Sequence, residues 1–519
     1  MARFTIDLPD TEEVRFAIEI DRAISESPFN SVSFISGGFV RDLVMNKLLD
    51  PDKPREPKDL DMCATVSPED MKKLGFHFVP TGEKHGTITL MRGDAKIEVT
   101  TTREDQGHGD DRKDVEPVFC LDNELGPKID VMRRDLTING LLCEPSTGVI
   151  HDYVGGIRDI ERQYISLIGG TVKRLQEDAL RIMRFVRFCC STGFCLNPSI
   201  FDFVEDQLFL KRLKLVSGER IRDELLGILS TERPAVGMLL LQELGVIDMW
   251  LPEMERLVGM KQNVWHSEDV WGHTLEALEM SVQMGGDLTD RVTALFHDLG
   301  KGVTRDVKTL GSSNDGDVER QLREYGYSFH GHDSESVRIL DEYVCPRIKL
   351  YGPTDKYEVD MGRVKHLIGR HMSTFSTSNM STRRRLKHLG ATDFGMDMID
   401  RSFKLFLADT CARELSWDYP LGSETAEPMW TVLEKGASIR NKVMQYLEQE
   451  HSARTVKDVR LNGNDVMRIL DIKPSRTVGK VLNHLFDLVT SESIENDPEV
   501  LEQYVNNNRE TLMDFPEER

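Results

Sequence analysis

The sequence contains no apolar run approaching the roughly 20 residues that a bilayer-spanning helix requires. Its first residues, MARFTIDLPDTEE, lack an apolar h-region and are rich in acid, so no signal or transit peptide is expected. None of the eight cysteines forms a CxxC pair, which leaves neither a thiolate zinc site nor a disulfide framework to expect; a reduced cytoplasm suits them best. No internal repeat is visible. Positive charge is scarce, with 66 Lys and Arg against 88 Asp and Glu. A net charge of −22 argues on average against a polyanion partner. The basic residues are segregated, however. Arg158, Arg162, Lys173, Arg174, Arg181, Arg184 and Arg187 fall within one short stretch, and Arg383, Arg384, Arg385 and Lys387 within another, while the chain from Glu492 onward is mostly acidic. Such a distribution permits a polyanion on one face, and equally suits ordinary solvated faces.

At 519 residues, 39% hydrophobic and 30% charged, the chain has an ordinary globular composition and is long enough for two to four domains. The stretches Ser31–Ile35, Thr87–Met91 and Lys96–Thr101 read as strands. Asp50–Pro57 (DPDKPREP) is a Pro-rich loop, and Gln106–Val115 a Gly- and Asp-rich one. From about Ile160 helical periodicity takes over, through Asp178–Phe188 and Phe201–Leu229. Leu310–Val318 is a polar loop interrupting it, and Gly422–Pro428 a linker.

Two motifs near the start carry chemistry. The glycine pair in SGGFVRD (Ser36–Asp42) lets backbone N–H groups approach phosphates closely. Asp59 and Asp61 follow in KDLDMC; on an extended strand, side chains two apart share a face. Carboxylates so placed can hold Mg²⁺ together with substrate phosphates. Alone, each motif would suit a tight turn or a solvated strand edge. In this order they read as a nucleotidyltransferase active site.

Met132–Asn139 (MRRDLTIN) fits a helix N-terminus with a charged first turn, or guanidinium contacts to a triphosphate and ribose. In EDALRIMRFVR (Glu177–Arg187), Arg181, Arg184 and Arg187 recur every third residue and Asp178 precedes Arg181 by three. Intrahelical ion pairs would explain this spacing. So would base selection. A carboxylate beside a guanidinium complements the amino donor and ring acceptors of cytosine and adenine. Guanine and uracil would leave it unpaired, and unpaired buried polar groups discriminate strongly.

Taken in order, Gly37-Gly38-x-Val40-Arg41-Asp42, Asp59-x-Asp61, His85-Gly86-Thr87, Glu98-Val99-Thr100-Thr101, Arg133-Arg134-Asp135-x-x-x-Asn139 and Glu177-Asp178-x-x-Arg181 resemble the class II tRNA nucleotidyltransferases, the CCA-adding enzymes, in the superfamily shared with bacterial poly(A) polymerases. The resemblance implies an α+β head with a small mixed, polymerase-β-like sheet, followed by a mostly α-helical neck, HD body and tail. Residues 1–159 would form the head, 160–235 the neck with its nucleotide-selecting template, 236–425 the HD-type domain and 426–519 the tail. It implies Asp59 and Asp61 as catalytic carboxylates holding Mg²⁺, with Glu98 either a third carboxylate or an exposed strand residue. Gly38 and Arg41 would meet the nucleotide phosphates, and Arg133 and Arg134 lie in the sugar- and phosphate-contacting motif. Asp178 and Arg181 would form the amino-acid template, with Glu177 orienting Arg181, and Arg184 and Arg187 supporting nucleotide binding. Expected partners are CTP, ATP and the tRNA 3′ end and acceptor arm, with no membrane and no DNA. The Asp50–Pro57 loop makes the spacer to Asp59 longer than in compact bacterial relatives.

A second constellation comprises Trp271-Gly-His273, Phe296-His297-Asp298-Leu-Gly-Lys301, His330-Gly-His332-Asp333, His371 and Ala408-Asp409-x-x-Ala-Arg413. A His–Asp pair inside the apolar stretch Val292–Leu299 needs buried partners, and imidazole with carboxylate suits a divalent transition metal. The pattern resembles the HD phosphohydrolases. That similarity implies His273, His297, Asp298 and Asp409 as ligands of a Ni, Mn or Co type ion, with His330 or His332 near a phosphate, and phosphatase or 2′,3′-cyclic phosphodiesterase chemistry. Three other readings stay open: a poly(A) polymerase, which would usually carry a basic C-terminal extension, an HD phosphohydrolase with a vestigial head, and a non-catalytic RNA-binding module.

Overall fold

The computed structural model describes residues 3–52, 54–57, 59–106, 116–169, 175, 178–201, 211–262, 269–307, 327–372, 386–414, 437–438, 440–441, 444, 456–490 and 493–513. Lys173, Arg174, Glu177, the arginines 383–385 and the stretches 310–318 and 422–428 lie outside them. The chain divides into two compact units, Met1–Val246 and Ile247–Arg519.

The first unit is built on a seven-stranded mixed sheet. Its strands are β1 (Ser33–Ser36), β2 (Asp61–Ala64), β3 (His77–Gly82), β4 (Thr87–Arg92), β5 (Ala95–Thr101), β8 (Leu141–Cys143) and β9 (Ile150–Asp152), in the order β3-β4-β5-β2-β1-β8-β9. A separate hairpin pairs β6 (Arg103–Gln106) with β7 (Glu116–Phe119). Within the seven-stranded sheet β2 and β5 pair in parallel and every other neighbouring pair is antiparallel. Alternation sets the faces: Ala95, Ile97, Val99 and Thr101 of β5 are buried, while Lys96 and Glu98 are exposed. The first strand starts two residues later than its composition suggests. The Ser31 hydroxyl bonds the carbonyls of Phe29 and Thr65, and Val32 N–H bonds the Thr65 hydroxyl, so side chains take the place of ladder bonds there. The helix Glu12–Ser25, capped by Thr11, lays Val14, Phe16, Ala17, Ile20 and Ile24 into the core.

After the sheet, helix Arg181–Thr192 buries Ile182, Met183, Phe185, Val186, Cys189 and Cys190 and stops at Gly193, whose φ of 81° is the left-handed cap glycine accepts readily. It begins at Arg181 rather than at Glu177, because Asp178 sits in a preceding turn and accepts the Leu180 N–H at 3.1 Å. Helices Gly218–Leu229 and Pro234–Glu243 pack on it.

The second unit is helical. Val270–Gln283, Leu288–Phe296, His332–Ile339, Met361–Ile368 and Met398–Glu414 surround a buried polar cluster. Arg401 ties Asp287 and Asp290, the capping-box pair that opens Leu288–Phe296, at 2.6 and 2.7 Å. Toward the C-terminus, Val466, Leu470, Val481, Leu485, Leu501 and Val505 form a separate apolar core.

Helix packing around Arg181–Thr192 leaves no room at Gly237, where a Cβ would lie 2.4 Å from Ile228 and 2.8 Å from the Cys190 sulfur. Gly237→Ala should therefore cost about 1–3 kcal/mol through overpacking. Urea unfolding of the full chain should show an earlier first transition; an unchanged midpoint would contradict this packing.

Candidate functional sites

Strand pairing assembles the head site. Ser36, at the end of β1, pairs with Asp61 at the start of β2, and Asp61 pairs in parallel with Glu98 of β5. Gly37 follows at φ 78°; a side chain there would meet the Arg134 guanidinium at 3.7 Å and the Asp61 carboxylate at 4.0 Å. A left-handed turn without a Cβ thus opens the space in front of the carboxylate. The strand geometry expected for both aspartates holds only for Asp61. Asp59 lies before β2 with φ 40°, a left-handed conformation that Asp tolerates better than most residues. The two-residue spacing therefore works through a turn leading into a strand.

Asp61 is pushed up to about 6, first by burial of its carboxylate, then by Glu98, with Asp59 adding and Arg134 opposing. Solvent still reaches its outer side, so the crowding is one-sided. A cation beside Asp61 would offset the burial and neighbouring negative charge that raise it. The residues therefore suit a divalent ion.

Guanidinium groups line the other wall. Arg41, on helix Gly38–Leu48, donates to Asp42 at 2.8 Å and to Asn139 at 2.9 Å, and its guanidinium stands 5.5 Å from the Phe188 ring centre. Arg133 and Arg134 share Asp130, which is completely buried: Arg133 donates to one oxygen at 2.7 Å and Arg134 to the other at 2.9 Å. Burial raises Asp130, yet the two guanidinium groups outweigh it and hold it below the ordinary carboxylate range. Arg134 also donates to the Asn139 carbonyl at 3.3 Å. Asp130 and Asn139 thus position the arginines. The spacing of Asp130, three and four residues before Arg133 and Arg134, was the available signal for it.

The selecting helix is organised from outside. The Asp178 carboxylate bonds Arg220 of the following helix at 2.7 Å, which a same-face pairing with Arg181 did not anticipate; the turn at Asp178 points it elsewhere. Arg184 is held by Asp135 at 2.6 Å and Arg187 by Glu224 at 2.8 Å. Burial raises Asp135, but Arg184 outweighs it and keeps it ionised.

In the second unit His273, His297, Asp298 and Asp409 converge, and Asp298 is shared with a second group, His332 and His371. His273 Nε2 lies 3.1 Å from Asp409 and 3.4 Å from Asp298; His297 Nε2 lies 3.3 Å from Asp298. The His–Asp pair stands just past helix Leu288–Phe296 rather than within it. His332 is buried in the cluster and His330 is exposed. His297, His332 and His371 each place Nδ1 2.7–2.8 Å from the carbonyl three residues earlier, Ala294, Phe329 and Ile368. When those nitrogens donate, every Nε2 presents a lone pair inward. The His332 and His371 Nε2 atoms are 3.1 Å apart, a separation that two lone pairs need a proton or cation to bridge. Lys301 supplies positive charge from one side, 2.6 Å from Asp298 and 2.8 Å from Gln262. Burial pulls His297 down, but Asp298 and Asp409 outweigh it and push it up to about 10. The donor set is that of a divalent transition metal.

Three known protein families match successive parts of the chain. Residues 33–166 match the poly A polymerase head domain family, 193–257 the probable RNA and SrmB-binding site of polymerase A, and 270–414 the HD domain. The chain is a nucleotidyltransferase of the poly(A) polymerase superfamily with an HD domain behind its head. Several tRNA nucleotidyltransferases are among the proteins it is similar to. An A-adding tRNA nucleotidyltransferase of Deinococcus radiodurans is 29% identical over 69% of this chain and 74% of that protein. A CC-adding tRNA nucleotidyltransferase of Thermus thermophilus is 27% identical over 88% and 89%. A Lactobacillus helveticus CCA-adding enzyme is 34% identical over 40% of this chain, spanning 48% of that enzyme. The fold is shared with the Bacillus stearothermophilus CCA-adding enzyme in complex with CTP, at a TM-score of 0.56, 18% identity and coverage of 96% and 98%.

The raised Asp61 has a measurable consequence. A carboxyl with an elevated pKa binds its proton until the pH exceeds that value, so below about 6 a cation must displace the proton first. The Mg²⁺ concentration for half-maximal transfer should be flat above about pH 7 and rise about tenfold per unit below about pH 6. A flat dependence throughout would remove Asp61 from the metal site.

Proposed function

We propose that this chain adds CCA to tRNA 3′ ends from CTP and ATP without a nucleic-acid template, and that its HD domain hydrolyses phosphoesters. Residues 1–159 act as catalytic head, 160–235 as selecting neck, 236–425 as HD domain and 426–519 as tail. The observation that carries the first activity is the Ser36, Asp61 and Glu98 alignment across three strands, fronted by Gly37 and walled by Arg41 and Arg134.

Asp59 and Asp61 would hold Mg²⁺, which neutralises charge developing on the leaving pyrophosphate and eases ionisation of the attacking hydroxyl. The tRNA 3′-oxygen forms a bond to the α-phosphorus in line with the bond that breaks to pyrophosphate. Catalysis is then chiefly placement and charge. Arg41 and Arg134, anchored by Asn139, Asp42 and Asp130, cradle the triphosphate without having to reorganise. Asp178 and Arg181, at the mouth of helix Arg181–Thr192, would meet the base edge once Asp178 exchanges its Arg220 partner for the base, and reject guanine and uracil by leaving them unpaired.

Transcripts ending at the discriminator base should gain CC with CTP alone and CCA with CTP and ATP together, read by sequencing their 3′ ends. Asp61→Ala should abolish transfer and leave circular dichroism unchanged. Long A tails on arbitrary RNA would transfer the assignment to poly(A) polymerase, and stopping at CC or adding only A would make the chain one partner of a split pathway.

The HD reading rests on the shared carboxylate. His273, His297, Asp298 and Asp409 would hold one Ni, Mn or Co type ion, and Asp298, His332 and His371 offer three ligands to a second. Such ions activate water and neutralise a phosphate, suiting 2′,3′-cyclic phosphodiester and phosphomonoester substrates. Lys301, itself buried, holds Asp298 at 2.6 Å. Chain dialysed against Mn²⁺ or Ni²⁺ should carry one ion more by elemental analysis than its His371→Ala variant, and tRNA extension should be the same in both. An equal count in the two proteins would sink the paired arrangement.

A further inference from the structure

The Pro-rich loop between the glycine pair and the carboxylates reaches across to the selecting helix. Arg55 donates from its two terminal nitrogens to the carbonyls of Ser191 at 3.0 Å and Thr192 at 3.1 Å. These are the last two residues of helix Arg181–Thr192, whose final carbonyls have no partner within the helix and carry its partial negative charge. A planar guanidinium fork fits two adjacent carbonyls as a single ammonium does not. The loop is itself fixed. Asn46, on helix Gly38–Leu48, donates to the Arg55 carbonyl at 2.8 Å and accepts the Arg55 N–H at 2.7 Å. One helical face lower, Arg41 of that same helix stands over Phe188 of the selecting helix. Four residues beyond Arg55, the chain delivers Asp59.

We propose that Arg55 is a positioning residue that locks the base-selecting helix to the carboxylate-bearing segment, so that base selection and phosphoryl placement move as one body; this rests on the transferase reading above. Two contacts, Arg41–Phe188 toward the middle of the helix and Arg55 at its end, fix its rotation as well as its distance. Rotation matters because Arg181, Arg184 and Arg187 share one helical face, and turning the helix by one residue, about 100°, would carry that face away from the nucleotide. With the clamp cut, the helix remains folded on its own apolar core while its register against the head loosens. Correct nucleotides then lose binding, and wrong ones are rejected less sharply.

The test compares Arg55→Gln, Arg55→Lys and Asn46→Ala with the unmodified chain. For Arg55→Gln the KM for CTP and ATP should rise about tenfold, and the preference over UTP and GTP should fall by a similar factor, as expected for losing about 1.4 kcal/mol of positioning. The kcat should change by less than about threefold. Arg55→Lys, which can reach only one carbonyl, should fall between. Asn46→Ala should mimic Arg55→Gln, and the double variant should be no worse than Arg55→Gln alone, because both cut one strut. Amide exchange provides a readout that does not need turnover. In Arg55→Gln, exchange should rise about tenfold in peptides covering both Asp59–Ala64 and Arg187–Phe194. A variant with intact discrimination, or with faster exchange in only one of the two segments, overturns the proposal. If the unmodified chain is inactive but exchange in Arg55→Gln still rises in both segments, the transferase reading is refuted and the strut stands.

Discussion

The head site depends on one buried carboxylate. Asp130 has no access to solvent, and leaving it there unpaired would cost several kcal/mol. It is tolerated because Arg133 and Arg134 each bind one of its oxygens. The same arrangement leaves Arg134 facing Gly37 and Asp61. An uncompensated charge deep in the head is thereby converted into a rigidly held cation at the catalytic edge. Removing Asp130 would set two guanidinium groups loose against Asp61, whose own charge already sits among like neighbours.

The HD cluster solves the opposite problem, too many acceptors in one buried place. Two carboxylates and four imidazoles converge beside Lys301, and the neighbouring carboxylates favour protonated His297. Each ion that binds must displace protons. Gly300 shows how little slack surrounds this site, since a Cβ there would sit 2.2 Å from the His332 carbonyl. The Ser336 hydroxyl accepts from the Gly300 N–H and donates to the His297 carbonyl, tying two ligand-bearing segments together.

Much of this was legible in the sequence. Motif order announced the head, the glycine pair and the two aspartates, and the His–Asp pair announced the second site. What could not be read was which group each charged residue would choose. Asp178 was three residues from Arg181 on paper, but a turn starts the helix later and sends the carboxylate to Arg220. Asp59 appeared strand-like by its spacing from Asp61, and left-handed backbone places it before the strand. His330 and His332 were indistinguishable as residue types, and only packing buries one of them. The Asp50–Pro57 loop gave no sign that Arg55 would reach the end of helix Arg181–Thr192. Partners far away in sequence decided each case, and single-chain periodicity carries no information about them.

The three histidine anchors bear on how the second unit comes to be. Each Nδ1 finds its acceptor within its own turn, three residues back. Ring orientation is therefore set by local helix and turn formation, before any distant ligand arrives. Rings held by the chain's own carbonyls do not need an ion to orient them. A chelator should consequently empty this domain without melting it, unlike the small zinc modules that unfold when stripped.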